Sequence, residues 1–145
     1  MLHDSSTIEG MRSLGGAPCI GFAAASRLPA VKWATKVELY HALVKGRDFI
    51  KENYANGVSM RAAASEACMS PYHFIRLFRI LFRETPHAYL TGVRLQEARR
   101  LLSESGMPLA EVAFQVGFKE ASSFSRLFKQ RYWMSPTEYR DLHHR

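Results

Sequence analysis

The stretches SPYHFIRLFRILFRETPHAYL (70–90) and EASSFSRLFKQRYWMSPTEYR (120–140) decide the fold of this chain, because they repeat each other. When the sequence is displaced by 50 residues without a gap, six of the 21 aligned positions are identical. A phenylalanine, an Arg-Leu-Phe triplet, a proline and a tyrosine keep their register, and upstream Ala63 aligns with Ala113. Self-similarity at a fixed period indicates that one supersecondary unit occurs twice.

Each copy has the pattern of a short helix, a tight turn and a second helix. Two helices joined by a turn of three or four residues form a helix-turn-helix. The predicted short helix, turn and second helix are 60–67, 68–70 and 71–83 in the first copy and 109–116, 117–118 and 120–133 in the second.

Several helix starts are marked by a hydroxyl residue followed by proline, an N-cap and a first helical position. These pairs are Ser70-Pro71, Thr85-Pro86 and Ser135-Pro136. Pro86 therefore begins a connecting helix of about 18 residues, roughly 27 Å long, that stops before Gly106. Pro108 starts the next helix. An amphipathic helix from residue 36 precedes the repeat and is expected to end at Asn56-Gly57.

Residues 1–35 differ from the rest of the chain, since 16 of the 35 are Gly, Ala, Ser or Pro. They sustain no helical or strand period, which predicts a flexible N-terminal tail before a domain over 36–145. The alternative is a short arm that docks onto this domain through four apolar side chains, Phe22, Leu28, Val31 and Trp33.

The composition restricts the classes of function. The 145 residues include 20 Lys+Arg and 13 Asp+Glu, a formal net charge of +7 that favours a polyanionic partner, nucleic acid before a membrane surface. Cys19 and Cys68 are too few for a disulfide framework or a four-cysteine zinc site. No apolar run approaches the roughly 18 residues of a membrane span. We therefore expect a cytoplasmic, nucleoid-associated protein with no metal, no cofactor and no membrane partner.

The second helix of each unit combines an apolar face with a basic face. The side chains predicted for the core are Phe74, Leu77, Phe78, Leu81, Phe124, Leu127, Phe128 and Tyr132. Because a B-DNA major groove admits one α-helix, the basic face is predicted to bind DNA. The side chains assigned to base edges are Tyr72, Ile75, Arg76, Ala121, Ser122, Ser125 and Arg126. The side chains assigned to phosphates are His73, Arg79, Lys129 and Arg131.

The chemistry of these residues suits groove recognition. The forked donors of Arg76 and Arg126 match guanine O6 and N7, and Tyr72 offers apolar contact to thymine methyl groups. A structural alternative for both arginines is a salt bridge with an acid on a neighbouring helix. The helix starts at Thr85-Pro86 and Ser135-Pro136 are further candidates for phosphate contact through their backbone amides.

From about residue 37 to 141 the chain resembles the DNA-binding domain of AraC/XylS-type transcription regulators. The resemblance lies in LAEVAFQVG (109–117), FKEASSFSRLFKQRYWMSPTEYR (118–140) and YLTGVRLQEARRLL (89–102). It implies an all-α fold of seven helices, in which a long linker helix joins two helix-turn-helix subdomains. The implied first unit, linker and second unit are about 58–83, 86–104 and 108–133.

The resemblance also implies a function. It implies that a monomer binds double-stranded promoter DNA in adjacent major grooves. RNA polymerase is a candidate second partner. The resemblance also adds Ser123 to the residues that are expected to face the groove. Many members carry a large effector-binding domain that this sequence does not show, so a stand-alone or truncated member is expected.

The chain departs from the family pattern where glycine usually follows each recognition helix. Arg83 and Trp133 stand there, and a left-handed turn costs a non-glycine residue about 1 kcal/mol. We therefore expect either that these turns are reshaped or that the domain is less stable. An alternative for Trp133 is that its side chain packs on the final helix. The first unit also has Ala67-Cys68 where the second has Gly117-Phe118, which leaves its turn less defined.

Other classes of protein fit less well. An enzyme is not expected, because the sequence has no Gly-rich phosphate loop, no HExxH motif and no paired carboxylates. A transposase arm would need an acidic catalytic domain from elsewhere, and an RNA-binding module would need aromatic residues that the core uses. A nonspecific, nucleoid-like DNA-binding protein is the main alternative to a sequence-specific regulator.

Overall fold

The structure is a computed structural model that describes residues 23–29 and 32–143. Every regular element within these residues is a helix, which confirms the all-α prediction. The seven principal helices are α1 (Trp33–Glu52), α2 (Met60–Glu66), α3 (Pro71–Phe82), α4 (Pro86–Glu104), α5 (Leu109–Gln115), α6 (Ala121–Tyr132) and α7 (Pro136–His143). Residues 23–25 form an additional, eighth helical segment. No helix in this described part is long and apolar enough to cross a membrane.

The chain divides into two compact units. The first comprises the described residues up to Phe49 together with Met60–Pro86, and the second comprises Ile50–Ser59 and the described residues from His87 onward. Helices α2 and α3 form the helix-turn-helix of the first unit, and α5 and α6 form that of the second. The sequence repeat therefore corresponds to one helix-turn-helix in each unit.

The helix starts follow the predicted capping chemistry. Helices α3, α4 and α7 begin at the three prolines that follow a hydroxyl residue. The N–H of His73 donates to Ser70 Oγ at 3.3 Å. At α7 the N–H of Glu138 donates to Ser135 Oγ at 3.2 Å, and the N–H of Ser135 donates to Glu138 Oε2 at 2.6 Å. This reciprocal pair is a capping box.

Some predicted boundaries are wrong by a few residues. Helix α1 begins at Trp33 rather than at residue 36, because the Lys36 N–H already bonds to the Lys32 carbonyl and extends the ladder toward the N-terminus. It ends at Glu52, and Gly57, with φ of +68°, closes the following turn instead of the helix. Pro108 is the N-cap of α5 and not its first residue, so the helix begins at Leu109, as the repeat predicted.

The core of the first unit is built on α3. Phe74, Leu77, Phe78 and Leu81 are buried, as predicted. The ring centroids of Phe74 and Phe78 are 5.5 Å apart, and those of Phe78 and Phe82 are 4.5 Å apart. Gly46 lets α1 approach closely, since a Cβ there would lie 2.4 Å from the Phe74 ring.

The second unit repeats this aromatic ladder on α6. The ring centroids of Phe124 and Phe128 are 5.7 Å apart, and those of Phe128 and Tyr132 are 4.7 Å apart. Phe124 and Phe128 are fully buried, whereas Leu127 and Tyr132 are only half-buried. An arginine lies over the last ring in both units, Arg47 over Phe82 and Arg99 over Tyr132, each 5.2 Å from the centroid.

The segment 23–29 packs within the first unit. Ala25 and Leu28 are buried, and Arg27 Nη1 donates to the Leu81 carbonyl at 3.2 Å. Leu28 is one of the side chains named for a docked arm, whereas two others, Phe22 and Val31, lie outside the described residues. Cys19 also lies outside them. The division of the chain at residue 35 stays a prediction.

Candidate nucleic-acid interface

The recognition helices α3 and α6 present matched exposed faces. Tyr72, Arg76 and Arg79 form the first ridge, at positions i, i+4 and i+7 of α3, and all three are exposed. Ser122, Arg126 and Lys129 form the second ridge at the corresponding positions of α6, and they are exposed as well. Residues at this spacing share one side of a helix.

The core on the opposite side determines this orientation. Because Phe74 and Phe78 are buried in the first unit, the residues two positions away from each of them are directed outward. Phe124 and Phe128 have the same effect in the second unit. Each unit therefore displays a ridge that begins with a polar or amphipathic residue and continues with two cations.

The ridge arginines have no acidic partner among the residues that the structure describes. Ion pairs within that part of the chain join Arg47 to Asp48 and Arg100 to Glu97 and Glu104. Neither Arg76 nor Arg126 takes part in one, so the salt-bridge alternative does not hold within 23–29 and 32–143. Their guanidinium groups keep their donors available for an external acceptor.

The predicted contact residues differ in exposure. The exposed members are Tyr72, His73, Arg76, Arg79, Ser122, Arg126, Lys129 and Arg131. The half-buried members are Ile75, Ala121, Ser123 and Ser125. The side chain of Tyr72 is 78% exposed, so it offers more apolar surface to a groove than Ile75 does. Ser123 Oγ lies 3.5 Å from Glu120 Oε2, a contact that occupies its hydroxyl in part. The individual roles of these residues stay predictions.

The two turns differ by one residue. Helices α2 and α5 begin 49 residues apart, at Met60 and Leu109, whereas α3 and α6 begin 50 apart. The left-handed residue of the turn is Cys68 in the first unit, with φ of 53°, and Gly117 in the second, with φ of 101°. The ungapped match of Ala63 with Ala113 is therefore wrong: Ala113 corresponds to Ala64, because the second turn contains one residue more.

Gly117 lies at a crowded point of the second unit. A Cβ there would be 2.7 Å from the Tyr54 carbonyl oxygen and 2.8 Å from Arg94 Nε. Arg94 Nε donates to the same carbonyl at 2.8 Å, and its guanidinium lies 5.9 Å from the centroid of the Phe118 ring. Burial lowers the pKa of Arg94. Sequence reasoning noted Arg94 only as part of a motif, and no local pattern connects it with Tyr54.

The turns after the recognition helices are left-handed in both units. Arg83 and Trp133 have φ of 61°, and their N–H groups donate to the carbonyls of Arg79 and Lys129 at 2.9 Å. The non-glycine residues thus do not reshape these turns. The option that Trp133 packs on the final helix is wrong, because its side chain is 90% exposed.

The two helix starts proposed for phosphate contact are not equivalent. At α7 the Ser135 amide already donates to Glu138, and this bond lowers the pKa of that carboxyl group. A carboxylate at this end opposes an approaching phosphate. Helix α4 has no acidic residue in its first turn, but the exposed Glu84 directly precedes Thr85. A carboxylate therefore lies within or just before the first turn at both helix starts, and phosphate contact there stays a prediction.

Comparison with known sequences identifies related proteins. Residues 63–141, more than half of the chain, match the family described as helix-turn-helix domain. The probable transcriptional regulator LumQ of Photobacterium leiognathi is 36% identical over 92 residues, which cover 63% of this chain and 37% of LumQ. The HTH-type transcriptional regulator AlkR of Acinetobacter baylyi is 37% identical over 82 residues, which cover 57% of this chain and 27% of AlkR. The chain thus spans about a third of the length of these curated relatives. They are transcription regulators, not enzymes.

Solved structures share the arrangement of helices. The C-terminal domain of AraT, a response regulator from Geobacillus stearothermophilus, has a TM-score of 0.69 at 24% identity, covering 74% of this chain and 89% of that one. The DNA-binding domain of AdpA, a global transcriptional factor whose structure was solved with a target DNA, has a TM-score of 0.65 at 29% identity. That match covers 69% of this chain and 90% of the AdpA domain.

Proposed function

This chain belongs to the AraC-type family of helix-turn-helix transcription regulators, as its motifs predicted, and on that premise we propose that it binds promoter DNA sequence-specifically as a monomer. Each recognition helix enters one of two adjacent major grooves. A regulator bound beside a promoter acts through RNA polymerase, which is the protein partner that the proposal implies.

The pair of matched ridges is the observation that supports this proposal. Each unit of the one chain displays an exposed arginine and a second exposed cation on the outer face of its recognition helix. None of these four cations is neutralised by an ion pair within the described residues. Two such helices in one polypeptide do the work of a helix-turn-helix dimer without requiring a palindromic site.

The proposed roles follow from side-chain chemistry and position. Arg76 and Arg126 bind guanine edges bidentately, whereas Tyr72 contacts a thymine methyl group. Ser122 donates to or accepts from a base. The residues that bind phosphate and hold the helices in register are His73, Arg79, Lys129 and Arg131. Because the two ridges differ in their first residue, the two half-sites are expected to differ in sequence.

Selection from a random duplex library tests the proposal. The full chain is used at about 150 mM salt with nonspecific competitor DNA, conditions under which phosphate attraction alone is weak. Enrichment of one asymmetric site that spans two adjacent helical turns is the expected result. Failure to enrich any site, with binding that falls steeply as salt rises, would overturn sequence-specific binding.

Two substitutions separate base contacts from phosphate contacts. Arg76→Ala is expected to cost about 1–3 kcal/mol on the selected site and to relax the preference at one base position. Lys129→Ala is expected to weaken binding to selected and random duplexes alike and to reduce the salt slope by about 1. Affinities from fluorescence anisotropy at several salt concentrations provide both readouts. Equal losses on both duplexes for both variants would contradict the assigned roles.

A further inference from the structure

Trp133 is the residue directly after α6. Its N–H still bonds to the Lys129 carbonyl, and its left-handed φ of 61° then turns the chain out of the helix. Arg83 holds the same place after α3, where its N–H bonds to the Arg79 carbonyl. The two recognition helices are therefore capped differently, the first by a cation and the second by an indole.

The exposure of Trp133 has no explanation in the packing of its unit. The side chain is 90% exposed, and its φ of 61° is in the left-handed region that disfavours residues with a Cβ. Because Arg83 has the same φ at the end of α3, the conformation ends the helix, whereas the full exposure of a large ring is peculiar to Trp133. A large, exposed aromatic ring in such a position is a candidate for contact with a partner molecule.

The length of α6 indicates which part of DNA the ring would meet. Trp133 is eleven positions beyond Ser122, a rise of about 16 Å along the axis at 1.5 Å per residue. The major groove of B-DNA is only about 12 Å wide. A helix that lies across the groove with Ser122 and Arg126 at base edges therefore carries its far end to the sugar–phosphate backbone at the groove margin.

We propose that Trp133 binds this backbone, with its indole N–H donating to a phosphate oxygen and its ring packed on a deoxyribose. Indole combines one hydrogen-bond donor with a broad apolar surface, which suits this composite target. The exposed cations Lys129 and Arg131 precede it on the same helix and attract the phosphates. The inference rests on the proposed function, and it adds a contact that is independent of base sequence.

Tryptophan fluorescence tests the proposal directly. The chain has two tryptophans, so Trp33→Phe leaves Trp133 as the only one. This variant is titrated with a fluorescein-labelled random duplex of about 40 base pairs, long enough for two adjacent turns with flanks. Anisotropy reports the complex, and iodide quenching of the tryptophan reports burial of the ring. Protection of Trp133 from iodide on complex formation is expected.

The outcomes distinguish failure of this inference from failure of the proposed function. A complex in which Trp133 is quenched as strongly as in the free protein overturns the backbone contact alone and leaves a protein partner for the ring. Absence of any complex at low salt overturns both proposals. Failure to select a site, with Trp133 still protected on random DNA, overturns sequence-specific binding and leaves the contact in place.

A matched pair of glycine substitutions separates binding from folding. Trp133→Gly relieves the left-handed strain, so the melting temperature is expected to rise while DNA affinity falls about tenfold, the effect of losing one hydrogen bond to a charged group. Arg83→Gly, the matched control, is expected to raise the melting temperature similarly, because it relieves the same left-handed strain at the end of α3. The salt slope of Trp133→Gly should not change. A purely structural role for Trp133 predicts the opposite, a lower melting temperature with unchanged affinity.

Discussion

Gly117 shows how one residue without a side chain determines the packing of the second helix-turn-helix. The neighbours that a Cβ would meet are the Tyr54 carbonyl oxygen and Arg94 Nε, at 2.7 and 2.8 Å. These two groups are themselves joined by a hydrogen bond of 2.8 Å. The carbonyl belongs to the backbone and this hydrogen bond holds the guanidinium, so the contact cannot relax at small cost. The turn, the linker helix α4 and the turn after α1 therefore depend on glycine at this position.

Substitution of two glycines in the same unit should shift stability in opposite directions. Gly117→Ala is expected to lower the free energy of unfolding by at least about 1–2 kcal/mol, because φ of 101° is unfavourable for alanine and the Cβ is crowded. Gly92→Ala is expected to raise it by about 0.5–1 kcal/mol, since that residue lies inside α4. A Cβ at Gly92 meets no atom within 4 Å. Urea unfolding of both variants checks this, and equal effects would contradict the assigned crowding.

At the scale of the helices, the sequence was most informative where local chemistry marks an end. Ser70-Pro71 and Ser135-Pro136 carry their own start signals, and α3 and α7 begin at those prolines. The start of α1 has no such signal, and this helix begins three residues before its predicted start. A cap is a contact between near neighbours in the chain, so it can be predicted without knowledge of the tertiary structure.

The extra residue in the second turn was hidden by the composition of the short helices. Ala63-Ala64 in α2 and Val112-Ala113 in α5 are consecutive small apolar residues, and all four are fully buried. A displacement of one residue leaves such a pattern unchanged, so an ungapped alignment matched Ala63 with the wrong alanine. The helix starts at Met60 and Leu109 and the left-handed positions of Cys68 and Gly117 reveal the true register.

The capping box of α7 predicts a pH dependence of stability. The pKa of Glu138 is lowered from its ordinary value of 4.5, chiefly because its carboxylate accepts the Ser135 N–H. A lowered pKa in the folded state means that the carboxylate stabilises the fold above the ordinary value, and that this stabilisation is lost as pH falls through the lower folded value. Glu138→Gln should therefore be less stable than the natural chain near neutral pH, and the difference should shrink on acidification. Thermal unfolding at several pH values measures this difference, and one that stays constant with pH would contradict the assigned cause.

At the scale of the whole chain, the repeat predicted which faces of the two recognition helices are exposed better than it predicted the details of the interface. The alternation of buried aromatics and cations was sufficient to place Arg76 and Arg126 on exposed faces, where the structure has them. The exposure of Trp133 could not be predicted, because an aromatic residue beside a core ladder is more commonly part of the core. The bond between Arg94 and Tyr54 also escaped, since these residues are 40 positions apart.

The two-unit architecture leads to a prediction about half-sites. If each unit reads its own groove, Arg76→Ala should relax base preference in one half of the selected site, and Arg126→Ala in the other. The affected positions should lie about 10–11 base pairs apart, each substitution costing about 1–3 kcal/mol. Because the two arginines share no partner, the double variant should lose the sum of the two free energies.

A matched control is available within the linker helix. Arg100 is an exposed cation of α4 that pairs with Glu97 and Glu104 and belongs to neither ridge. Arg100→Ala removes one positive charge, as the ridge substitutions do, but it should leave the base preferences of both half-sites intact. Repeated selection with each variant measures these preferences. Loss of preference at the same base positions for Arg76→Ala and Arg126→Ala would mean that the two recognition helices do not read separate grooves, whatever their individual contributions to affinity.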